Sequence, residues 1–190
     1  MPINSGLSWI TWANTNAKDS DSIEDLEATF KQNVKDFKAA LEAAKITVTV
    51  NDTLRSSKRA YLFHWAWKIA LDKCKPSEAT AMAGVDITWD HGDDVKSKAG
   101  AQEMVTGFGL AVPPKSIYAP SLTSRHIEGK AIDMDITWTG TVKVKNKAGL
   151  EVDVTFNADA NANTVLHTLG ATYSVNKLTN DAPHWSTDGK

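Results

Sequence analysis

Cysteine is almost missing from this chain. Cys74 stands alone among 190 residues, so no internal disulfide can form and no disulfide framework holds the fold. A basic excess is missing too. Lys and Arg number 21 against 23 Asp and Glu, a net charge of −2. That excludes bulk electrostatic binding of nucleic acid or an anionic membrane, which needs a basic patch. No apolar run approaches the roughly 18 residues of a membrane span. The N-terminal stretch, MPINSGLSWITWANTNAKDSDS, lacks the basic region and apolar run of a secretory leader. The protein is therefore expected to be made in the cytoplasm, in a reducing compartment. Internal repeats, low-complexity tracts and long linkers are also lacking. What remains is ordinary for a globular chain: 42% hydrophobic and 23% charged residues. The length suits one domain with a core large enough to need no staples.

Residues 1–21 read as an irregular arm bearing Trp9 and Trp12, and 22–190 as the folded domain. Ile23, Leu26, Phe30, Val34, Phe37, Leu41 and Ala44 recur at steps of three and four, which predicts an amphipathic helix over 23–44. Ser22 is its expected N-cap, with Asp25 in the capping-box place. Alternation and β-branching predict a strand over 46–50. A second helix is expected over 57–73, a strand or acid-rich loop over 84–96, and a third helix over 98–110. Strands are expected at 131–137, 141–146 and 151–156, a short helix at 161–169, and extended pieces at 173–175 and 184–186. Helices come first and antiparallel strands later, so the expected class is α+β, a single domain with helices on a small antiparallel sheet.

The stretch Ser124-Arg125-His126-Ile127-Glu128-Gly129-Lys130-Ala131-Ile132-Asp133 is the most informative. His126 and Asp133 lie seven positions apart, with Gly129 between them. Glycine can take backbone angles closed to other residues, which lets a loop bearing His126 fold over the start of a strand bearing Asp133. Imidazole and carboxylate together suit zinc. A lone pair at this spacing is common by chance, and a catalytic zinc site takes three protein ligands and keeps one position open for water. The third ligand is sought among His64, His91, His167 and His184. His184 lies in Asp181-Ala182-Pro183-His184-Trp185, where Pro183 stiffens the approach and Asp181 adds a carboxylate suited to moving a proton.

The first stretch resembles the S-x-H-x-x-G-x-A-x-D signature of the LAS metallopeptidases, which include D-Ala-D-Ala carboxypeptidases and dipeptidases, phage L-alanyl-D-glutamate endopeptidases and the hedgehog signalling domain. The late D-A-P-H-W is similar to the ending of the endopeptidase branch. Thr53-Leu54-Arg55-Ser56 followed by Arg59 resembles that family's substrate-orienting segment. The likeness spans about residues 46–187. It implies a LAS/hedgehog-like fold whose sheet carries one zinc ion per chain, held by His126, Asp133 and His184. It implies Asp181 as general base and acid, Arg55 as a substrate-binding and polarising group, and Ser124 as a neighbouring hydrogen bonder. Trp138 and Trp185, close behind the two motifs, are the candidates to line a groove.

The implied activity is endopeptidase cleavage of a peptidoglycan stem peptide at L-Ala–D-Glu, as in an endolysin or other bacteriolytic hydrolase. Such an enzyme reaches the cell wall after release by a holin or delivery by a secretion system. Two alternatives stay open: a D,D-carboxypeptidase or dipeptidase of the same fold, and a non-catalytic zinc-stabilised binding module. Asp135 shares a strand face with Asp133 and reads either as an orienting partner of a ligand histidine or as a solvated residue. His91 reads as a loop residue near the cleft rim, His64 as packed in an aromatic helix, His167 as outside the motif, and Arg59 and Arg125 as solvated.

Overall fold

The computed structural model describes residues 2–190. In chain order its elements are β1 (Ile3–Asn4), α1 (Ser8–Asn16), α2 (Ala28–Ala43), β2 (Thr47–Asp52), α3 (Ser57–Ala70), β3 (Ile87–Thr88), α4 (Asp94–Gly107), β4 (Ala131–Thr137), β5 (Thr141–Lys145), β6 (Glu151–Thr155), α5 (Thr164–Thr172), β7 (Asn176–Lys177) and β8 (His184–Ser186). The class is α+β. No helix among the described residues is long and apolar enough to cross a membrane. The chain divides into two compact units, one of residues up to Lys18 with Ser56–Thr123, the other of Asp19–Arg55 with Ser124–Lys190.

The first unit is helical, with α1, α3 and α4 around Trp9, Leu62, Trp65, Ala101 and Met104. A two-residue parallel pairing of β1 with β3 completes it. Residues 8–16 are not the irregular arm expected from the sequence. They form α1, and Trp9 and Ala13, one helical turn apart, are buried. Two turns are too short for hydrophobic periodicity to register. The third helix starts at Asp94 rather than at 98, because the Asp93 carboxylate accepts the Lys96 N–H at 3.0 Å as an N-cap.

The second unit carries the four-stranded sheet β2-β4-β8-β7, with every neighbouring pair antiparallel. The β5–β6 hairpin and helices α2 and α5 belong to the same unit, and Phe30, Phe37, Leu41, Ile132, Leu169 and Trp185 fill its core. The expected 23–44 helix is broken. Residues Ile23–Asp25 form a 3₁₀ turn capped by Ser22, and α2 begins afresh behind Glu27, whose carboxylate accepts the N–H groups of Thr29 and Phe30 at 3.1 Å. The Glu27 N–H donates to the Gly129 carbonyl at 2.9 Å, a tertiary bond in place of a helical one. The buried stripe of Phe30, Val34, Phe37 and Leu41 is as the spacing predicts.

The last helix also shifts. Asn163 caps it by accepting the Leu166 N–H at 3.2 Å, so it runs to Thr172 and contains Gly170 instead of stopping before it. A Cβ on Gly170 would meet the Trp185 indole at 2.7 Å, so glycine here makes room for an aromatic ring. Tyr173 and Ser174 form a turn, with φ +60° at Ser174, and the extended piece comes later at Asn176–Lys177.

Candidate metal centre

Sheet register builds most of the site. Asp133 on β4 pairs directly with His184 at the start of β8, and Asp52 at the end of β2 pairs with Asp133 from the other side. Directly opposed residues on one sheet face bring their side chains within reach of each other. A shift in the β2–β4 register between Val50 and Asp52 puts Asp52 opposite Asp133. His126 arrives from the preceding loop, where a tight turn closes with Gly129 N–H bonded to the His126 carbonyl at 3.1 Å. Gly129 has φ +66°, and a Cβ there would press on the Glu27 nitrogen at 3.0 Å, so both the turn and its docking call for glycine.

The three side chains converge. His126 Nε2 lies 3.1 Å from His184 Nδ1 and 3.3 Å from Asp133 Oδ1, and His184 Nδ1 lies 3.1 Å from the same oxygen. Both histidines are buried, at 3% and 7% exposure. The far nitrogen of each ring faces a backbone oxygen: His126 Nδ1 to Thr53 at 2.8 Å, His184 Nε2 to Lys190 at 3.2 Å. A backbone carbonyl only accepts, so each far nitrogen carries the proton and each near nitrogen is left with a bare lone pair. Two lone pairs and a carboxylate oxygen then face one another out of water. That arrangement calls for a cation at its centre, either a proton or a metal ion. Among the described residues this is the group of His, Cys, Asp and Glu side chains placed to hold a metal.

The electrostatics agree. With protons at the centre in place of a metal ion, burial still works against the charge of Asp133, but hydrogen bonds from His126 and His184 and their positive charge outweigh it and hold the carboxyl far below its ordinary range. Burial likewise disfavours the His126 imidazolium. Its hydrogen bond and attraction to Asp133, helped by the Thr53 carbonyl and by Asp52, overcome that and raise its pKa above 6.5. The sign of each follows from linkage. The raised His126 contributes stability to the ion-free protein that is full below 6.5 and is lost as pH rises through the folded-state value. The depressed Asp133 contributes stability that is full above 3.8 and is lost as pH falls toward its folded-state value. Metal affinity runs the other way at the histidine, because a ligand must shed its proton. Between about pH 6 and 8 the melting temperature of ion-free protein should fall while metal affinity rises. Calorimetry with and without metal reads both, and a pH-independent affinity would remove His126 from the site.

Arg55 and Asp52 flank this centre. The Arg55 N–H donates to the His126 carbonyl at 3.1 Å, and its guanidinium donates to Asp52 at 2.8 Å. Asp52 in turn stands 4.0 Å from His126 Nδ1. Arg55 Nε is buried without a hydrogen-bond partner. The Ser124 hydroxyl accepts the His126 N–H at 3.3 Å and so shapes the turn that presents the imidazole. Asp181 is exposed, on a turn whose carbonyl accepts the His184 N–H at 3.1 Å.

No family model, curated protein or solved structure matches this chain.

The remaining candidates sort by environment. Asp135 is exposed and accepts Asn51 Nδ2 at 2.9 Å, so it orients no ligand histidine. Trp138 is partly buried and packs edge to face on Phe156. Trp185 is a core residue, 2% exposed and packed on Phe37. His91 and His64 belong to the helical unit, bonded to Ser5 and to the Pro120 carbonyl. His167 bonds the Ala160 carbonyl. Arg59 is not simply solvated: its guanidinium bonds Asn14 and lies 5.5 Å from the centroids of both Phe63 and Phe108. Arg125 pairs with Glu128 and Asp188.

Two contributors were missed from the sequence. Asp52 lies just past the expected 46–50 strand, and its three-residue spacing from Arg55 was the available signal. Lys177 gave no signal at all. It is 8% exposed, and its ammonium donates to Asn161 and to the carbonyls of Leu178 and Asp181. Lys177→Met would strip three acceptors of their donor at a cost of about 1–3 kcal/mol. Thermal melting should register that loss, and an unchanged melting temperature would mean the turn holds without it.

Proposed function

We propose that this protein is a zinc-dependent peptidase that cuts the L-Ala–D-Glu bond of a peptidoglycan stem peptide. The observation that carries this reading is the meeting of His126, Asp133 and His184, side chains from two separate motifs, with their lone pairs turned inward. Two nitrogens and one oxygen make a donor set suited to catalytic zinc with one position left over. Their separations of 3.1–3.3 Å compare with about 3.3 Å between ligand atoms around a tetrahedral zinc at its usual bond lengths. Zinc held there would lower the pKa of a bound water and polarise a carbonyl.

The chain's own residues then divide the work. Asp181, three residues before His184, takes the proton from the attacking water. Hydroxide adds to the scissile carbonyl carbon, the C–N bond breaks, and Asp181 returns the proton to the leaving amine. Arg55 turns toward the substrate backbone. Its guanidinium is already paired with Asp52, which favours a neutral peptide carbonyl over the free carboxylate that a carboxypeptidase must clamp. Arg55→Ala should leave the metal content unchanged and lower kcat/KM about 10- to 100-fold, the worth of a charged hydrogen bond. Wild-type kcat/KM in that variant would end its substrate role.

Mass spectrometry of purified peptidoglycan digested by zinc-loaded protein tests the whole reading. The expected product is a stem peptide with a new amino terminus on D-Glu. Release of terminal D-Ala alone would make the protein a D,D-carboxypeptidase. No cleavage at all, with zinc bound, would make it a binding module.

A further inference from the structure

The two histidines of the centre are steadied from behind in different ways. The Thr53 carbonyl behind His126 is built into the fold. Thr53 is fully buried, and its N–H and its hydroxyl both donate to the Ser20 carbonyl at 2.7 Å. The acceptor behind His184 is the backbone oxygen of Lys190, 3.2 Å from Nε2, in the segment 187–190 that follows β8.

That segment is bound back onto the site. The Thr187 N–H donates to the Lys130 carbonyl at 3.0 Å, and the Lys190 N–H donates to the hydroxyl of buried Ser186 at 3.0 Å. Between them, Asp188 accepts two hydrogen bonds from the Arg125 guanidinium, at 2.6 Å from Nη2 and 3.3 Å from Nε. Such a two-pronged pairing fixes direction as well as distance. Arg125 immediately precedes His126, and the Lys130 N–H closes the same turn on the Arg125 carbonyl at 2.8 Å. The segment thus grips the loop that bears one donor and touches the ring of another. An imidazole can offer a metal either nitrogen, and the hydrogen bond made by one decides that the other is offered. The Lys190 oxygen therefore turns His184 Nδ1 to the centre, and the Arg125–Asp188 pair sets where Lys190 stands.

We propose that residues 187–190 are a positioning strap of the metal centre, in which the Lys190 oxygen fixes the His184 ring and the Arg125–Asp188 pair ties it to the His126 loop. The inference rests on the zinc reading of the three donors and not on the reaction proposed there. Such coupling is reciprocal: the strap tightens zinc binding, and zinc tightens the strap by the same factor.

Two variants test it, a chain with Gly189 and Lys190 deleted and the substitution Asp188→Ala. Zinc affinity is measured by competition with a chromophoric chelator. The deletion should weaken it about 10- to 100-fold, the usual worth of the group that holds a ligand histidine from behind. Asp188→Ala should weaken it about two- to fivefold, the worth of a partly exposed ion pair. A further readout separates positioning from mere stability. Nitrogen-15 NMR of zinc-loaded protein should show a His184 Nε2 proton that exchanges slowly with water in the wild type and rapidly in the deleted chain. Wild-type affinity in either variant, or a proton that stays protected without Lys190, would overturn the proposal. Should the deleted chain not fold, Asp188→Ala decides alone. Wild-type protein that binds no zinc would sink the zinc reading and the strap with it. Strap-dependent zinc binding with peptidoglycan left uncut would sink the peptidase reading and support the strap.

Discussion

On the zinc-peptidase reading, His126→Ala should leave a folded protein that neither holds zinc nor hydrolyses peptidoglycan. The imidazole supplies one of three donors at the centre, at 3.1 and 3.3 Å from the other two. Loss of a residue that merely supports a metal ligand costs about 10–100-fold in affinity, so loss of a ligand itself should cost at least about 100-fold. The fold should survive. The change empties one buried ring site and leaves the Thr53 carbonyl without its donor, a cost of about 1–3 kcal/mol. That is smaller than the roughly 5–15 kcal/mol of a typical domain. Metal content after dialysis and the far-ultraviolet circular dichroism spectrum together read the result. His91→Ala is the matched control, because His91 bonds Ser5 in the helical unit and should keep a full zinc complement. Stoichiometric zinc in His126→Ala would take His126 out of the site.

Asp181→Asn should bind zinc normally and lose about 10²–10⁴-fold in turnover, the usual worth of general acid–base catalysis. The amide is nearly the same size as the carboxylate but cannot accept the proton. The turn that carries residue 181 is fixed by its backbone, not by this side chain. Asp181 N–H donates to the Leu178 carbonyl at 3.2 Å, its own carbonyl accepts the His184 N–H at 3.1 Å, and the buried Lys177 ammonium donates to that same carbonyl. The substitution should therefore move charge without moving His184. Rates on stem peptide, with zinc content measured alongside, decide the matter. Turnover near the wild-type level would remove Asp181 from the mechanism.

The α+β order, the strands β4, β5, β6 and β8, and the core face of α2 were all legible in the sequence. Each is set by a local pattern: alternation in the strands, a three-to-four spacing in the helix. The three donors were legible as well, because the short motifs that carry them are strings of adjacent residues. Gly129 announced its turn, and the structure gives it the positive φ that a side chain would resist.

The tertiary structure decided what local pattern could not. It broke the first long helix, because the Glu27 N–H is drawn to Gly129, about a hundred residues away in the chain. It turned part of the expected arm into α1, where buried Trp9 and Ala13 supply what two turns of helix cannot supply alone. It brought Asp52 opposite Asp133 through a register shift and buried Lys177 beneath the turn of Asp181. It also chose the histidine nitrogens that face the centre, since that choice depends on the Thr53 and Lys190 oxygens behind the two rings. Residue types and local spacing are properties of the chain. Register, burial and tautomer arise only when distant segments meet, and they determine which lone pairs converge.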